Sequence, residues 1–202
     1  MLISFEGIDG SGKTTQIELL KNRLLDDDVR VQVFREPGGT EVSEQIRSIL
    51  LNPQMEIDPV TEMLLFSSAR SQLISTRVMP LLASNHVVIL DRFYDSTIAY
   101  QGYGRECLPI EQIHQINHIA SHAIAPDITF YLRVNREVSA FRRANQEKDR
   151  MEKSGDDFYD KVIAGFDALA ASEPRFQTID AAQSVDVIHQ QIWQKVSLSL
   201  SK

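Results

Sequence analysis

Eight residues near the N-terminus, Gly7-Ile8-Asp9-Gly10-Ser11-Gly12-Lys13-Thr14, fit G-x-x-x-x-G-K-[ST] in full, and Thr15 follows. An apolar run precedes them and a helical pattern comes after. Glycines allow backbone N–H groups to turn toward an anion, and a helix N-terminus adds partial positive charge. Lys13 can reach terminal phosphates, and the Thr14 hydroxyl can ligate Mg²⁺. Gly7 to Thr15 are therefore a candidate cradle for a nucleoside triphosphate. Asp9 is unusual there, because a carboxylate repels phosphate unless a metal ion or a cation neutralises it.

Three further clusters follow strand-like runs or lie on helical ones. Arg35-Glu36-Pro37-Gly38-Gly39-Thr40 joins a charged pair to a turn with close backbone access. Asp91 ends a hydrophobic run where a metal-binding carboxylate of a nucleotide site would sit, and Arg92 beside it would face the same anions. Thr97, Tyr100, Gln101 and Tyr103 then form a dense hydrogen-bonding set. Phe66 and Arg70 are four residues apart and share one helix face. An aromatic plate beside a guanidinium suits a nucleobase, although core packing with a solvated arginine gives the same spacing.

These groups need a frame that brings them together. Strand-like runs cover 2–6, 29–34, 86–90, 127–134 and 176–180, all mostly apolar, as buried parallel strands are. Helical patterns cover about 13–26, 41–51, 59–84, 109–124, 136–145, 156–172 and 184–200. The alternation predicts an α/β, three-layer sandwich around a five-stranded parallel sheet, with ligands beyond the carboxyl ends of the strands. The whole chain, 1–202, reads as one domain carrying this P-loop. The charged stretch at about 142–157 reads as a mobile lid.

Composition narrows the partners. The chain has 202 residues and a formal net charge of −7. A nucleic acid polymer is disfavoured, because binding one draws on excess Lys and Arg. No apolar run approaches the ~20 residues of a membrane span, and the start lacks the basic region of a signal peptide. Cys107 is the single cysteine, so no internal disulfide forms. A cytoplasmic location is expected.

The stretches FEGIDGSGKTTQ, REPGGT, LLFSSAR, DRFYDSTIAYQG and TIDA, in this order over residues 5–181, resemble the thymidylate kinase family, in its bacterial branch. The resemblance implies transfer of the γ-phosphoryl group of ATP to dTMP with Mg²⁺, in a homodimer. It implies that Phe66 stacks on thymine, that Arg70 donates to O4, and that Thr97 and Gln101 complete the base contacts. Tyr100 would crowd the sugar 2′ position, while Arg92 and Arg47 would hold the acceptor phosphate. Asp9 would serve the sugar or the metal, and Glu36 and Pro37 would line the pocket. Ala181, in TIDA, would lie against adenine. The loop interior carries no arginine, so catalytic cations are expected in the lid, from Arg142, Arg143 or Arg150. Asp149 and Glu152 match acidic lid positions near the acceptor. Thr14 and Asp91 would hold the metal.

Other readings stay open at this point. Another nucleoside monophosphate kinase fits the same pattern. A deoxynucleoside kinase would need a base for its hydroxyl, for which Glu36 or Asp91 could serve. A partner-regulated P-loop switch is a third class, though N-K-x-D is absent. His114, His118 and His122, four apart on one expected helix face, read as a polar stripe rather than a metal site. Cys107, near Arg105, could have a lowered pKa. Trp193 reads as core packing.

Overall fold

In the computed structural model, which describes residues 1–144, 150–151 and 154–200, five strands form one sheet. They are β1 (Leu2–Glu6), β2 (Val31–Arg35), β3 (Val87–Asp91), β4 (Ile128–Arg133) and β5 (Phe176–Asp180). The order is β2-β3-β1-β4-β5, and every pairing is parallel. The α/β sandwich expected from the sequence is therefore present.

Side chains alternate across the sheet and give it two apolar faces. Leu2, Val88 and Leu90 meet Leu73, Ile74 and Val78 on one side. Ile3, Phe5 and Ile89 pack with Leu20 and Leu24 on the other. Burying each such side chain contributes roughly 1.5–3 kcal/mol. At the centre, the Ser4 and Thr129 hydroxyls pair at 2.8 Å, so these two polar groups sit in the core without an unmet hydrogen bond.

The helices are α1 (Lys13–Asp26), α2 (Glu41–Leu51), α3 (Pro59–Leu73), α4 (Met79–Ala83) and α5 (Tyr94–Thr97). They continue with α6 (Ile110–Ala120), α7 (Arg136–Arg142), α8 (Asp156–Ser172) and α9 (Val185–Leu200). Caps fix several starts. Thr40 accepts from Ser43 N at 3.1 Å, and Asp58 accepts from Val60 N and Thr61 N with Pro59 in the first turn.

Some boundaries differ from expectation for physical reasons. The second strand begins at Val31, because Asp28 at φ 58° turns the chain and Val29 N donates to Leu24 O, closing α1. The helix expected over 59–84 passes through a π-helical turn at Ile74–Val78. That expected over 136–145 ends at Arg142, and that over 109–124 at Ala120, where His122 and Ala123 take positive φ. His122 thus leaves the face shared by His114 and His118, and its Nε2 lies 3.0 Å from Ser71 Oγ. The 94–104 segment, which carries the hydrogen-bonding set of Thr97, Tyr100, Gln101 and Tyr103, is helical: α5 runs into a π-helical turn at Ile98–Gly104. Cys107 also departs from expectation: burial pushes its thiol up. The proposed lid spans residues that include 145–149 and 152–153; Asp149 and Glu152 lie outside the described residues.

Candidate active site

The carboxyl ends of β1, β2 and β3 open into one cleft of about 460 Å³. Its walls bring together Asp9, Gly10, Gly12, Lys13, Thr14 and Thr15 from the first loop and the start of α1, Glu36 and Pro37 from the turn after β2, and Arg47 from α2. Phe66 and Arg70 come from α3. Asp91, Arg92, Thr97, Tyr100 and Gln101 come from β3 and the helix after it. Arg142 and Arg143 close one side.

The loop conformation needs its glycines at two places. Gly12 caps α1 at φ 96°, a region that side chains avoid. At Gly10, φ 77°, a Cβ would come within 2.9 Å of Ser139 O, so the loop could not approach α7 this closely. Beneath the loop, Lys13 Nζ donates to Gly7 O at 3.0 Å and Ile8 O at 3.1 Å. Burial first, and Arg92 second, push the Lys13 ammonium down to about 8, against the pull of Asp9, Asp91 and Glu6. Gly7, Ile8 and Ser11 shape the loop from below rather than lining the cleft, as Ser11 is 1% exposed.

Arg92 is the hub of the floor. Its backbone takes φ 70°, uncommon for a residue with a side chain. Its N–H donates to Phe5 O at 3.0 Å. The guanidinium donates to Asp9 Oδ1 at 2.7 Å, Gly7 O at 2.9 Å, and Ser96 Oγ and Tyr100 Oη at 3.2 Å. Burial alone would raise the Asp9 carboxyl, but Arg92 and Lys13, with Arg143, hold it well below the usual range. The neutralising cation that Asp9 requires is thus in the protein.

Arg70 is 2% exposed and not solvated. Its Nε donates to Glu36 Oε2 at 2.7 Å; its Nη1 donates to Thr97 Oγ1 at 2.9 Å and Asn117 Oδ1 at 3.2 Å. Asn117 is fixed in turn by donating to Tyr94 O. Glu36 is buried, and burial raises its carboxyl while Arg70 opposes this. Pro37, which follows a cis peptide bond, lines the same wall, and Arg47 Nη1 donates to Pro37 O at 2.9 Å.

The three arginines expected in the lid separate. Arg142 donates to Gly10 O at 3.1 Å and Ala181 O at 2.8 Å, joining the first loop to the turn after β5. Arg143 packs its methylenes against Gly10. Arg150 instead pairs with Glu62 at 2.6 Å and donates to Leu50 O at 2.7 Å; neither it nor Ala181 lines the cleft.

Sequence reasoning passed over Glu6, Ser96, Asn117 and Glu62. Glu6, at the end of β1 and 0% exposed, accepts from Phe93 N at 2.7 Å and Ser96 Oγ at 2.6 Å, fixing the start of the helix that carries Thr97, Tyr100 and Gln101. Burial and the nearby Asp95 push its carboxyl up to about 8. A carboxylate ending a strand that is otherwise apolar was the available signal.

A sequence model of a known family, thymidylate kinase, matches residues 5–192. A thymidylate kinase of Prosthecochloris aestuarii is 46% identical over 207 residues, covering 97% of this chain and 92% of that one. One from Thermoanaerobacter is 46% identical, with 94% of each chain covered. Among solved structures, the thymidylate kinase of Ehrlichia chaffeensis superposes with a TM-score of 0.80 at 34% identity, covering 98% of both chains.

Proposed function

The chain belongs to the thymidylate kinase family, and we propose that the cleft described above carries its reaction, the transfer of the γ-phosphoryl group of ATP to dTMP to give dTDP for dTTP synthesis. The observation that carries the assignment is that Phe66, Arg70, Thr97 and Gln101 open into the same space as Lys13 and Arg92. One end suits a base and the other suits phosphates.

The acceptor is a phosphate oxygen. A phosphate monoester has a second pKa near ~6, so it is already a dianion at neutral pH and needs no general base. The task is to align two polyanions against their repulsion, and positioned cations accomplish that. Lys13 and the loop N–H groups hold the donor phosphates, and Arg92 with Arg47 holds the acceptor. Phe66 stacks on the base, Arg70 donates to its O4, and Tyr100 shapes the sugar pocket. Arg142 and Arg143, which line the cleft, are the cations that meet the transferring group in this reading. Glu36, one of the two carboxylates that could serve a nucleoside acceptor as base, is paired with Arg70 at 2.7 Å.

Mg²⁺ fits these residues. The Thr14 hydroxyl and the Asp91 carboxylate line the same cleft and are hard oxygen donors. No group of three or more His, Cys, Asp or Glu gathers to hold a metal among the described residues, which suits an ion carried largely by phosphates. When bound, it neutralises charge on the donor phosphates. We further propose a lid around 142–157 that excludes water, a homodimer, and a cytoplasmic location. No helix among the described residues is long and apolar enough to cross a membrane.

The test is ADP formation from Mg-ATP with dTMP, dUMP, dCMP, dGMP, UMP or thymidine. Strong preference for dTMP, abolished by Lys13→Ala and reduced by Arg70→Ala, is expected. Vigorous ATP hydrolysis without an acceptor would count against the assignment.

A further inference from the structure

Glu62 sits in the first turn of α3 and is 0% exposed. Its Oε1 accepts from Gln101 Nε2 at 2.9 Å and Arg105 Nε at 3.3 Å. Its Oε2 accepts from Arg150 Nη1 at 2.6 Å, and Arg105 Nη2 lies 3.5 Å away. A carboxylate paired with two guanidinium groups is an acceptor on all these contacts. The Gln101 amide, 2% exposed, must therefore turn its NH₂ toward Glu62, which leaves its carbonyl Oε1 for the cleft. No donor among the described residues meets that Oε1.

We infer that Glu62 is a positioning residue that fixes which end of the Gln101 amide reads the base. With Oε1 forward, Gln101 can accept from an N3–H and cannot donate to an N3 lone pair. Arg70 offers donors beside it, so the pair asks for a pyrimidine with N3–H and a 4-carbonyl. Thymine and uracil present that pattern. Cytosine presents the reverse at both atoms. Without the carboxylate, an amide can rotate by half a turn and serve either pattern. The inference rests on the assignment of this pocket to the base of the acceptor.

The experiment compares kcat/KM for dTMP and dCMP, with Mg-ATP, in the wild-type chain and in Glu62→Gln, together with the urea midpoint of each. In Glu62→Gln the dTMP-to-dCMP ratio is expected to fall by roughly tenfold or more, since one of the hydrogen-bond signs is no longer fixed. In a Gln101→Met background, Glu62→Gln should leave the ratio where Gln101→Met alone puts it. An equal fall for both substrates would show a merely structural carboxylate and overturn the inference. A wild-type chain without dTMP preference would overturn the pocket assignment and the inference together. An intact ratio in Glu62→Gln would overturn the inference alone. Should Glu62→Gln fail to fold, neutron diffraction from wild-type crystals with dTMP decides. Deuterium on Gln101 facing Glu62 supports the inference, and deuterium facing the base overturns it.

Discussion

Arg92 crosses the cleft floor to Asp9, Nη2 to Oδ1 at 2.7 Å, and so the one anionic side chain of the phosphate loop is tied to a residue that ends the central strand pair. The same guanidinium reaches Gly7 O, Ser96 Oγ and Tyr100 Oη. A planar fork is needed for four partners in fixed directions, and an ammonium cannot replace it. Arg92→Lys is expected to lower kcat/KM for dTMP by about 10² through misplacement of the acceptor. Because Asp9 acts through Arg92, the effects of Asp9→Asn and Arg92→Lys should not add. A double-mutant cycle on kcat/KM should give a coupling of about 0.5–3 kcal/mol.

Arg70 and Glu36 form a pair in which both side chains are almost fully buried, at 2% and 4% exposure. Removing one partner leaves the other charge uncompensated. Arg70→Met is expected to destabilise the fold by about 3–5 kcal/mol, and Arg70→Met with Glu36→Gln by much less. Urea unfolding checks this. If the double variant folds well yet no longer prefers dTMP, the pair is needed for base recognition rather than for stability.

The three arginines expected to share the catalytic role should differ in kinetics. Arg143 stands against Gly10, and its charge is felt at Asp9, so Arg143→Ala should cause the largest fall in kcat, ~10³ by analogy with arginine fingers. Arg142 links Gly10 O to Ala181 O, so Arg142→Ala should raise the KM for ATP. Arg150 is held by Glu62, next to Gln101, so Arg150→Ala should raise the KM for dTMP with a smaller effect on kcat. A collapse of kcat confined to Arg150→Ala would reverse this order.

The strands and the phosphate loop were readable because each depends on local pattern: apolar runs, glycines, and Lys-Thr-Thr opening a helix. Phe66 and Arg70 were readable as sharing one helix face, but the burial of Arg70 was not. It depends on Glu36 and Asn117, which lie 34 and 47 residues away in sequence. The same holds for Glu6, whose partners Phe93 and Ser96 arrive only when β1 and β3 pair. The helix expected past Ala120 was overestimated because the chain turns into the left-handed region at His122 and Ala123, and the one expected past Arg142 stops where Arg143 leaves helical geometry at φ −112° and ψ 9°. Long-range polar pairing leaves no periodic trace, so a carboxylate such as Glu62 looks like an ordinary surface charge in a linear string.

Lys13 gives two pH trends of opposite sign. Burial, then Arg92, lowers its ammonium from 10.5 to about 8 in the folded chain. Between about 8 and 10.5 the unfolded chain therefore binds more protons at this position than the native one, and its contribution to stability rises with pH across that window. ATP phosphates favour the charged form, so binding runs the other way. Below about 8 the lysine is already charged, while above it ATP must bind together with a proton, and affinity should fall toward about tenfold per pH unit. Calorimetric titration with Mg-ATP at pH 9, in buffers of different ionisation enthalpy, should show proton uptake that vanishes in Lys13→Met. Urea midpoints across pH 7.5–10.5 should show the stability trend in the wild-type chain and lose it in the same variant. Proton uptake that persists in Lys13→Met would assign the titration to another group in the cleft.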